Sequence, residues 1–351
     1  MSRSLRVALT ADLFDKEGSP KFSDLGLSAF EPYEWIETRP FDEHRPEIGP
    51  DQYGTANGII VGRPRVTAHS VTGADNLLAI GRFGVGYDNV DVSACTRADV
   101  LVFITVGAVD HSMAEATIGW MMALCHHIRA KDNLARTAGW DTRASFVGSE
   151  LRDHTFGTVG LGRIARKTIE LLKGFAMNPP IAFDPFLKEA DTAALGVRLV
   201  SLDRLMSEAD FVSVHCPWSD GTRNLIGEKE IALMKPTAFL INTARGGIIN
   251  EDALFSALKE QRIAGAALDC FVDEPLTTPP RFGQLDNVLM ALHCIGFTHE
   301  LFRDVGRAAC QGMIDLAQGK RPQGVLNPEV FDRPGFQGKW KRLQHERILR
   351  S

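Results

Sequence analysis

The sequence predicts an α/β fold in which parallel sheets form two domains. The chain has 351 residues, more than a single hydrophobic core ordinarily serves, so two domains are expected. From about residue 155 to residue 293, short apolar runs alternate with segments of helical periodicity, the pattern of a parallel sheet covered by helices on both faces. A glycine-rich turn, GLGRIA, separates the first of these runs from the helical segment after it. Together these observations favour a doubly wound sheet.

The first hundred residues have the elements of a smaller α/β domain. Candidate strands are RVALT, NGIIVG, LLAIGRF and VLVFIT. One long helix is predicted for the segment SMAEATIGWMMALCHHIRAKDNLA, whose apolar stripe is typical of packing against a core. A further helix is expected over about 300–318, and the tail after it is assigned to the first domain. The predicted domains are 1–105 plus 300–351 and, inserted between these segments, 106–299.

The larger domain is predicted to contain the strands TFGTVG, IAFD, VRLV, DFVSVHC, AFLINT, AGAAL and NVLMAL. Helices are expected between them. Ser201 and Asn250 precede two of these helices as capping residues, and the acidic residues directly after Asn250 favour a helix start there. Pro236 is expected to end the helix formed by EKEIALMK.

Composition and charge exclude several classes of protein. The net charge of −5 offers no broad basic surface for nucleic acid, so no nucleic-acid partner is expected. The basic cluster near the C-terminus is interpreted as a solvated terminal helix; it comprises Lys339, Lys341, Arg342, Arg347 and Arg350. No uncharged stretch approaches the ~18–20 residues of a membrane span, so no membrane partner is expected.

The N-terminus and the cysteines indicate a cytoplasmic protein. The apolar run near the start is broken at Asp12, which makes it a poor signal peptide and a natural first strand. The six cysteines include no CxxC pair, and scattered thiols without a secretion signal fit a reducing compartment. His293–Cys294 and His126–His127 lack the spacing of zinc ligands, so no metal is expected.

The GLGRIA turn has the features of a dinucleotide-binding site. Gly160 permits the tight turn, Gly162 lets the backbone approach a pyrophosphate, and Ala165 allows the helix to pack closely on the strand. The helix N-terminus then faces the anion. Asp184 ends the next strand, where an acidic side chain accepts hydrogen bonds from the adenosine ribose and repels a 2′-phosphate, so NAD is predicted over NADP. Lys188 lies close enough to weaken that preference.

Polar side chains follow three further strands of the larger domain. Arg245 follows AFLINT, Asp269 and Glu274 follow AGAAL, and His293 follows NVLMAL. The carboxyl ends of parallel strands line the ligand crevice of an open sheet, so these residues are expected to converge near the cofactor. A guanidinium can grip a carboxylate, and a histidine backed by a carboxylate can exchange a proton near neutral pH. These side chains are suited to the reduction of a ketone, in which the carbonyl carbon receives a hydride and the carbonyl oxygen receives a proton.

Each of these residues taken singly also has an ordinary structural explanation. Arg245 would cap the sheet edge, Glu274 would be a loop carboxylate before a proline, and His293 would be a hydrogen-bonded core side chain. Their joint placement at strand ends of one dinucleotide fold favours the chemical explanation.

Several motifs resemble those of the D-isomer-specific 2-hydroxyacid dehydrogenases, over about residues 55–330. The motifs are GRFGVGYDNVDVSACTRADV, SMAEATIGWMMAL, GTVGLGRIARK, VHCPWSDGTRNLIG, LMKPTAFLINTARGGIINEDAL, ALDCFVDEPL and LHCIGFTHE. The resemblance implies an NAD-dependent enzyme that reduces a 2-oxoacid to the D-2-hydroxy acid and catalyses the reverse reaction. It also implies a homodimer, to which the helix near 113–130 contributes. We therefore expect a Rossmann-type doubly wound cofactor domain inserted into a smaller, flavodoxin-like α/β domain that binds the substrate.

The resemblance implies roles for the residues that match the family's substrate motifs. Arg245 would bind the substrate's carboxylate and keto oxygen, His293 would be the catalytic acid–base, and Glu274 would be its partner. The backbone around Val85 and Gly86 would hold the substrate carboxylate.

The same resemblance implies the cofactor contacts. Asp269 would meet the nicotinamide carboxamide, and Gly296 would let the chain turn beside the nicotinamide. Cys294 is expected to be only a tolerated small residue. The full set of implied cofactor contacts is Gly160, Gly162, Arg163, Ile164, Asp184, His215, Cys216, Thr222, Thr243, Ala244, Asp269 and Gly296.

This chain also departs from the family pattern. Leu292 stands where a proline usually precedes the catalytic histidine, and His126 stands where an arginine is frequent. ITVGAVDHSMAE lacks the common Asn-x-Pro, and VGRPRV departs from the usual arginine-serine pattern. These last two segments sit near the substrate and leave its identity open. A short phosphoglycerate, hydroxypyruvate or glyoxylate enzyme, a dehydrogenase for a bulkier acid, and phosphite oxidation all remain candidates.

Other functions are disfavoured by particular residues. Formate dehydrogenases have a glutamine in the place of Glu274. After Asn327 no room is expected for the regulatory domain of the long phosphoglycerate dehydrogenases. The rival from a different class is a catalytically slow NADH-binding protein of the transcriptional corepressor type, which the intact Arg245, Glu274 and His293 disfavour.

Overall fold

The chain folds into two compact units. The computed structural model describes the backbone of residues 5–348 and side chains as far as His345. The first unit, called here the split unit, comprises the described parts of Met1–Val109 and Phe297–Ser351. The second, called the inserted unit, is Asp110–Gly296. One continuous segment of chain therefore forms the whole inserted unit.

The strands are short, and most of their residues are buried. They are β1 (Leu5–Leu9), β2 (Ile36–Pro40), β3 (Gly58–Val61), β4 (Ala79–Arg82), β5 (Leu101–Ile104), β6 (Phe156–Val159), β7 (Ile181–Phe183), β8 (Arg198–Leu199), β9 (Phe211–Val214), β10 (Phe239–Asn242), β11 (Gly265–Leu268) and β12 (Val288–Met290).

The α-helices vary from one turn to five turns. They are α1 (Pro50–Tyr53), α2 (Val92–Arg97), α3 (Asp110–Cys125), α4 (Ile128–Arg136), α5 (Arg163–Leu172), α6 (Glu189–Thr192), α7 (Leu202–Glu208), α8 (Glu228–Ala232), α9 (Glu251–Lys259), α10 (His299–Ala317) and α11 (Pro334–Ile348). None of the helices in the described part of the chain is both long enough and apolar enough to span a membrane.

The inserted unit has a parallel sheet with the strand order β12-β11-β10-β9-β6-β7-β8. The order reverses between β6 and β9, which is the arrangement of a doubly wound, Rossmann-type sheet. Leu240 and Ile241 of β10 belong to separate hydrophobic clusters, as expected for neighbours on opposite faces of a sheet covered on both sides. The predicted Rossmann-type fold is confirmed, and a ligand is expected at the carboxyl ends of β6 and β9.

The split unit has a parallel sheet with the order β2-β1-β3-β4-β5, which is the flavodoxin-like order predicted. The four strands expected from the sequence are present, and β2 was not expected. Only Ile36 of β2 is buried, and the strand ends at Pro40 on the edge of the sheet. An exposed edge strand has no apolar periodicity for sequence analysis to detect.

The predicted capping residues are confirmed. The Ser201 hydroxyl accepts a hydrogen bond from Arg204 N at 3.3 Å, and the Asn250 side chain accepts one from Ala253 N at 2.9 Å. Each satisfies a backbone N–H that has no partner inside its helix.

The single long helix predicted from SMAEATIGWMMALCHHIRAKDNLA is wrong, because the chain forms two helices there. Helix α3 ends at Cys125, whose carbonyl accepts a hydrogen bond from Ser149 N at 2.9 Å. His127 has a φ of +53° and caps the start of α4, and a left-handed residue cannot continue an α-helix. The predicted core stripe holds within α3, where Trp120 and Met121 are buried.

The C-terminal helix forms as predicted, but the expectation that its basic residues are solvated is wrong for Lys339. The Lys339 ammonium donates hydrogen bonds to the carbonyls of Leu77, Ala98 and Asp99 at 3.2, 2.9 and 3.2 Å. Burial lowers the pKa of Lys339, while the charges of Asp99 and Asp75 oppose that effect. The side chain of Arg347 and the whole of Arg350 lie outside the described residues.

Candidate active site

The glycine turn of the inserted unit is shaped to receive an anionic group. Gly160 has a φ of +90°, and a Cβ there would lie 2.9 Å from Cys216 N, so this position needs glycine. Gly162 caps the start of α5, and a Cβ there would meet open space. The N-terminus of α5, which begins with Arg163 and Ile164, therefore faces a free volume that a pyrophosphate can enter.

Asp184 lies directly beside this turn. Its Oδ2 accepts a hydrogen bond from Leu161 N at 3.0 Å, and its Oδ1 accepts one from Phe186 N at 3.0 Å. The carboxylate is thus fixed between the end of β7 and the glycine turn, where a ribose bound to a Rossmann sheet is expected. Lys188 is the residue before α6, and its backbone N–H donates to Asp191.

Arg163 pairs with an acidic residue rather than pointing freely at the turn. Its Nε lies 2.8 Å from Asp110 Oδ2, and the Asp110 side chain is almost fully buried. The side chain of this predicted cofactor residue is therefore held by α3, which leaves its backbone N–H at the start of α5 for a ligand.

The end of β9 brings His215 and Cys216 next to the glycine turn. His215 Nε2 is hydrogen-bonded to Ser213 Oγ at 2.8 Å, and burial lowers the pKa of His215 to about 4. Burial raises the pKa of Cys216 to about 11. Both side chains are therefore neutral around pH 7.

The remaining predicted cofactor residues lie on loops at the same edge of the sheet. Thr222 Oγ1 donates a hydrogen bond to Pro217 O at 2.8 Å and so stabilises the loop that contains both residues. Thr243 and Ala244 follow β10, and Ala244 N donates to Asn242 Oδ1 at 3.0 Å.

His293 and Glu274 form a hydrogen-bonded pair. His293 Nδ1 lies 2.8 Å from Glu274 Oε2, and Glu274 Oε1 accepts a hydrogen bond from Phe271 N at 2.8 Å. Burial on its own raises the pKa of Glu274, but these hydrogen bonds and the charges of His293 and Arg245 outweigh it, so the pKa lies below its usual value. The carboxylate is thus ionised and orients the imidazole, leaving Nε2 for a ligand.

Arg245 follows β10 on a loop packed tightly against the Glu274 loop. A Cβ on Gly246 would lie 2.0 Å from Phe271 O, so only glycine permits this approach. Arg245 O accepts a hydrogen bond from Asn242 Nδ2, and its guanidinium donates to Ala244 O, at 2.8 and 2.7 Å. The structure therefore brings Arg245, Glu274 and His293 together at the carboxyl edge of one sheet.

Asp269 has a structural function that the sequence did not reveal. It is buried, and its Oδ1 accepts hydrogen bonds from Cys294 N and Ile295 N at 2.9 and 3.1 Å. Its carbonyl accepts a hydrogen bond from His293 N at 2.7 Å. Burial raises the pKa of Asp269, partly offset by the two N–H donors. Asp269 therefore holds the backbone on both sides of His293.

Gly296 is tied to α3 by another contact that sequence analysis missed. The Ser112 hydroxyl donates a hydrogen bond to Gly296 O. Because Ser112 is distant in sequence, only the folded chain reveals that α3 supports the turn after His293.

Val85 and Gly86 lie in the split unit, on the loop after β4. Gly84 O accepts a hydrogen bond from Thr105 N at 3.1 Å. Asn89 Nδ2 donates to Gly62 O and Pro64 O at 3.1 and 2.8 Å. This loop is thus anchored at both ends to neighbouring strand ends of its own sheet.

Comparison with known proteins agrees with this geometry. The model of the D-isomer specific 2-hydroxyacid dehydrogenase NAD binding domain matches residues 118–294. A glyoxylate reductase from Korarchaeum cryptofilum is 33% identical over 277 residues, which cover 78% of this chain and 83% of the relative. The chain belongs to the D-isomer specific 2-hydroxyacid dehydrogenase family. The predicted family resemblance is therefore confirmed.

Other family members share either sequence or fold. A D-3-phosphoglycerate dehydrogenase from Methanocaldococcus jannaschii is 38% identical over 264 residues, covering 75% of this chain and 50% of the relative. The chain thus spans about half the length of the phosphoglycerate dehydrogenases that it matches. The apo-structure of D-lactate dehydrogenase from Escherichia coli superimposes with a TM-score of 0.76 at 25% identity, covering 92% of this chain and 100% of that chain.

Proposed function

We propose that this protein is an NAD-dependent oxidoreductase that reduces a 2-oxoacid to the D-2-hydroxy acid and catalyses the reverse reaction. The observation that carries the proposal is the 2.8 Å contact between His293 Nδ1 and Glu274 Oε2, with Arg245 close enough to lower the pKa of Glu274. An imidazole paired with an ionised carboxylate beside a guanidinium suits proton transfer to an anionic ketone.

The chain's own residues handle the proton and the charge in this reaction. When bound, the nicotinamide supplies the hydride for reduction or accepts it in oxidation. His293 donates the proton from Nε2 to the ketone oxygen in reduction and recovers one from the hydroxyl in oxidation. Glu274 stabilises the imidazolium that precedes proton donation. Arg245 grips the substrate carboxylate and stabilises negative charge that develops on the oxygen.

The inserted unit is proposed to hold the cofactor, with a preference for NADH over NADPH. The proposal is supported by the open N-terminus of α5 beyond Gly162 and by the fixed carboxylate of Asp184. That carboxylate repels a 2′-phosphate and accepts hydrogen bonds from ribose hydroxyls. The cofactor contacts extend to His215, Cys216 and the other residues assigned above, with Asp269 meeting the carboxamide.

The split unit is proposed to hold the substrate carboxylate through the backbone of Val85 and Gly86. The support is the loop after β4, where hydrogen bonds fix both flanks and leave the chain in a defined conformation. The relatives are named for glyoxylate and for phosphoglycerate, so small 2-oxoacids are the first substrates to test.

A homodimer in the cytoplasm is the proposed state of the protein. Helix α4 and the segment after it expose apolar side chains, with Ile128, Trp140 and Val147 between 51% and 81% exposed. A second copy that covers them would remove this apolar area from water. The six cysteines are free thiols, which favours a reducing compartment. Light scattering on the purified protein tests the dimer, and a monomer at micromolar concentration would contradict it.

The direct test of the reaction is NADH oxidation, followed by the near-ultraviolet absorbance of NADH, with a panel of 2-oxoacids. Glyoxylate, hydroxypyruvate, its 3-phosphate, pyruvate, phenylpyruvate and branched-chain acids cover the range of size and charge. We expect one size class of these 2-oxoacids to be reduced with NADH, and to be reduced more slowly with NADPH. NADH binding without turnover of any of these acids would contradict the proposal and favour the non-catalytic NADH-binding alternative.

A further inference from the structure

A cysteine side chain lies beside the His293–Glu274 pair. Cys270 follows Asp269 directly after β11, and its Sγ, a carboxylate oxygen of Glu274 and a ring nitrogen of His293 all lie within 4.8 Å of one another. All three residues belong to the inserted unit. We propose that these three side chains form a binding site for a zinc ion, and that the bound ion blocks the acid–base pair.

The three ligands are the types that zinc prefers. Zinc binds thiolate sulfur at about 2.3 Å and imidazole nitrogen or carboxylate oxygen at about 2.0–2.2 Å, in a tetrahedral arrangement. Ligand atoms around such an ion lie roughly 3–4 Å apart, so the side chains need only small movements to close around it. One sulfur and one nitrogen among three ligands disfavour magnesium and calcium, which require oxygen ligands.

The burial of the three side chains gives the ion a route into the site. Cys270 is 3% exposed and forms the floor of the cluster, whereas the side chains of Glu274 and His293 are 33% and 46% exposed. An ion from solvent can therefore reach the exposed pair first and the thiol beneath them second.

The surrounding hydrogen bonds hold two of the ligands in place. Phe271 N donates to Glu274 Oε1, which leaves Oε2 for the ion, and Asp269 O accepts from His293 N. Second contacts of this kind orient metal ligands and raise affinity. The Cys270 thiol donates to Ala244 O at 3.4 Å, and this proton must leave when the sulfur binds.

Zinc binding exchanges a proton for the ion without any redox change. The Cys270 thiol loses its proton to solvent, and the ring proton of His293 moves from Nδ1 to Nε2 as the ion takes its place between Nδ1 and Glu274 Oε2. His293 then has no carboxylate to stabilise its imidazolium and cannot cycle a proton. The inhibitory consequence rests on the proposed function, whereas the binding itself does not.

Cobalt(II) is the probe for the site, because a cobalt–thiolate bond gives a charge-transfer absorption band and visible ligand-field bands. The cofactor-free full chain is titrated with Co²⁺, which avoids overlap with NADH absorbance. We expect one equivalent to produce the thiolate band in the wild type and in Cys294→Ser, which removes the neighbouring thiol as a matched control. The band is expected to be absent in Cys270→Val, whose side chain has a similar volume.

Zinc inhibition of NADH oxidation supplies the second readout. We expect inhibition that a chelator reverses, and at least about tenfold more zinc for the same effect in Cys270→Val and Cys270→Ser. Circular dichroism checks the fold of both variants, and the serine variant keeps the test available if valine disrupts packing. A thiolate band that survives in Cys270→Val, no such band in the wild type, or unchanged zinc inhibition in both folded Cys270 variants would overturn the proposal. Cobalt binding through Cys270 in a chain that reduces no 2-oxoacid would leave the metal site standing and contradict only the proposed function.

Discussion

Asp269 holds His293 in an unfavourable backbone conformation. His293 has a φ of +54°, in the left-handed region that non-glycine residues seldom occupy. Its N–H donates to Asp269 O at 2.7 Å, and the Asp269 carboxylate accepts from the two N–H groups that follow. These three bonds offset a conformational cost of about 1–3 kcal/mol. The imidazole is thereby presented from a fixed turn rather than from a regular strand.

Removing the Asp269 carboxylate should therefore slow the reaction, because the backbone that positions His293 is no longer fixed. Asp269→Ala loses the acceptor for Cys294 N and Ile295 N, whereas Asp269→Asn keeps an oxygen there. We expect kcat to fall by up to about 10²-fold in the alanine variant, since misplacing a catalytic group has effects of this size, and to be largely restored in the asparagine variant. Steady-state kinetics and NADH titration check this. A fall in NADH affinity with unchanged kcat would instead assign Asp269 to cofactor binding alone.

Asp184 should set the preference between the two nicotinamide cofactors. Asp184→Asn removes the charge but keeps an oxygen for Leu161 N, so the glycine turn is preserved. We expect the Kd for NADPH to fall by at least about tenfold, because a like charge near the 2′-phosphate is removed. Fluorescence titration with each cofactor measures both affinities. An unchanged ratio of the two Kd values would show that another residue sets the preference.

His215 should make the inserted unit less stable in acid. The pKa of His215 is about 4 in the folded chain against an ordinary value of 6.5. Between these values the unfolded chain takes up a proton that the folded chain does not, so stability falls as pH decreases from about 6.5 to about 4. The loss of stability at the acid end of this range is on the order of 3 kcal/mol. Urea unfolding at pH 5 and pH 7 should show a smaller difference in His215→Asn than in the wild type. The exposed His44→Asn is the matched control, and equal pH dependence in all three proteins would refute the assignment.

Lys339 should stabilise the packing of α11 within the split unit. Lys339→Met removes three hydrogen bonds to carbonyls and leaves those groups without that donor, with an expected loss of about 1–3 kcal/mol in the free energy of unfolding. Lys341→Met changes an exposed lysine of the same helix and should lie within about 0.5 kcal/mol of the wild type. Denaturant unfolding compares the two variants. An equal free energy of unfolding for the two variants would mean that the Lys339 contacts make no net contribution to stability.

Much of the fold and the candidate site was predictable because it depends on local patterns. Arg245, Glu274 and His293 lie on the loops that follow three apolar runs. The runs mark buried strands, and the rule for parallel sheets then places these side chains at one edge. The glycine turn and Asp184 have a fixed spacing that the sequence shows directly. The geometry of the His293–Glu274 pair itself required the structure.

Other features depend on contacts between residues that are distant in sequence. Strand β2 has no apolar alternation, and the break at His127 is a tertiary event inside an otherwise helical pattern. Lys339 resembles a solvated lysine until its carbonyl partners are known. Cys270 and Glu274 follow β11, but His293 follows β12, so the three ligands do not form a local sequence motif. Periodicity reports which face of an element is buried, but it does not report which side chains meet.

The most direct test of the account is the rate of 2-oxoacid reduction by His293→Asn, measured together with its affinity for NADH. Asparagine tolerates the left-handed backbone better than most residues, so the turn is expected to persist while the proton donor is lost. The account predicts that kcat falls by about 10²–10⁴-fold and that the Kd for NADH stays close to the wild-type value. Retained turnover, or an equal loss of NADH binding and turnover, would contradict the assignment of His293 as the acid–base.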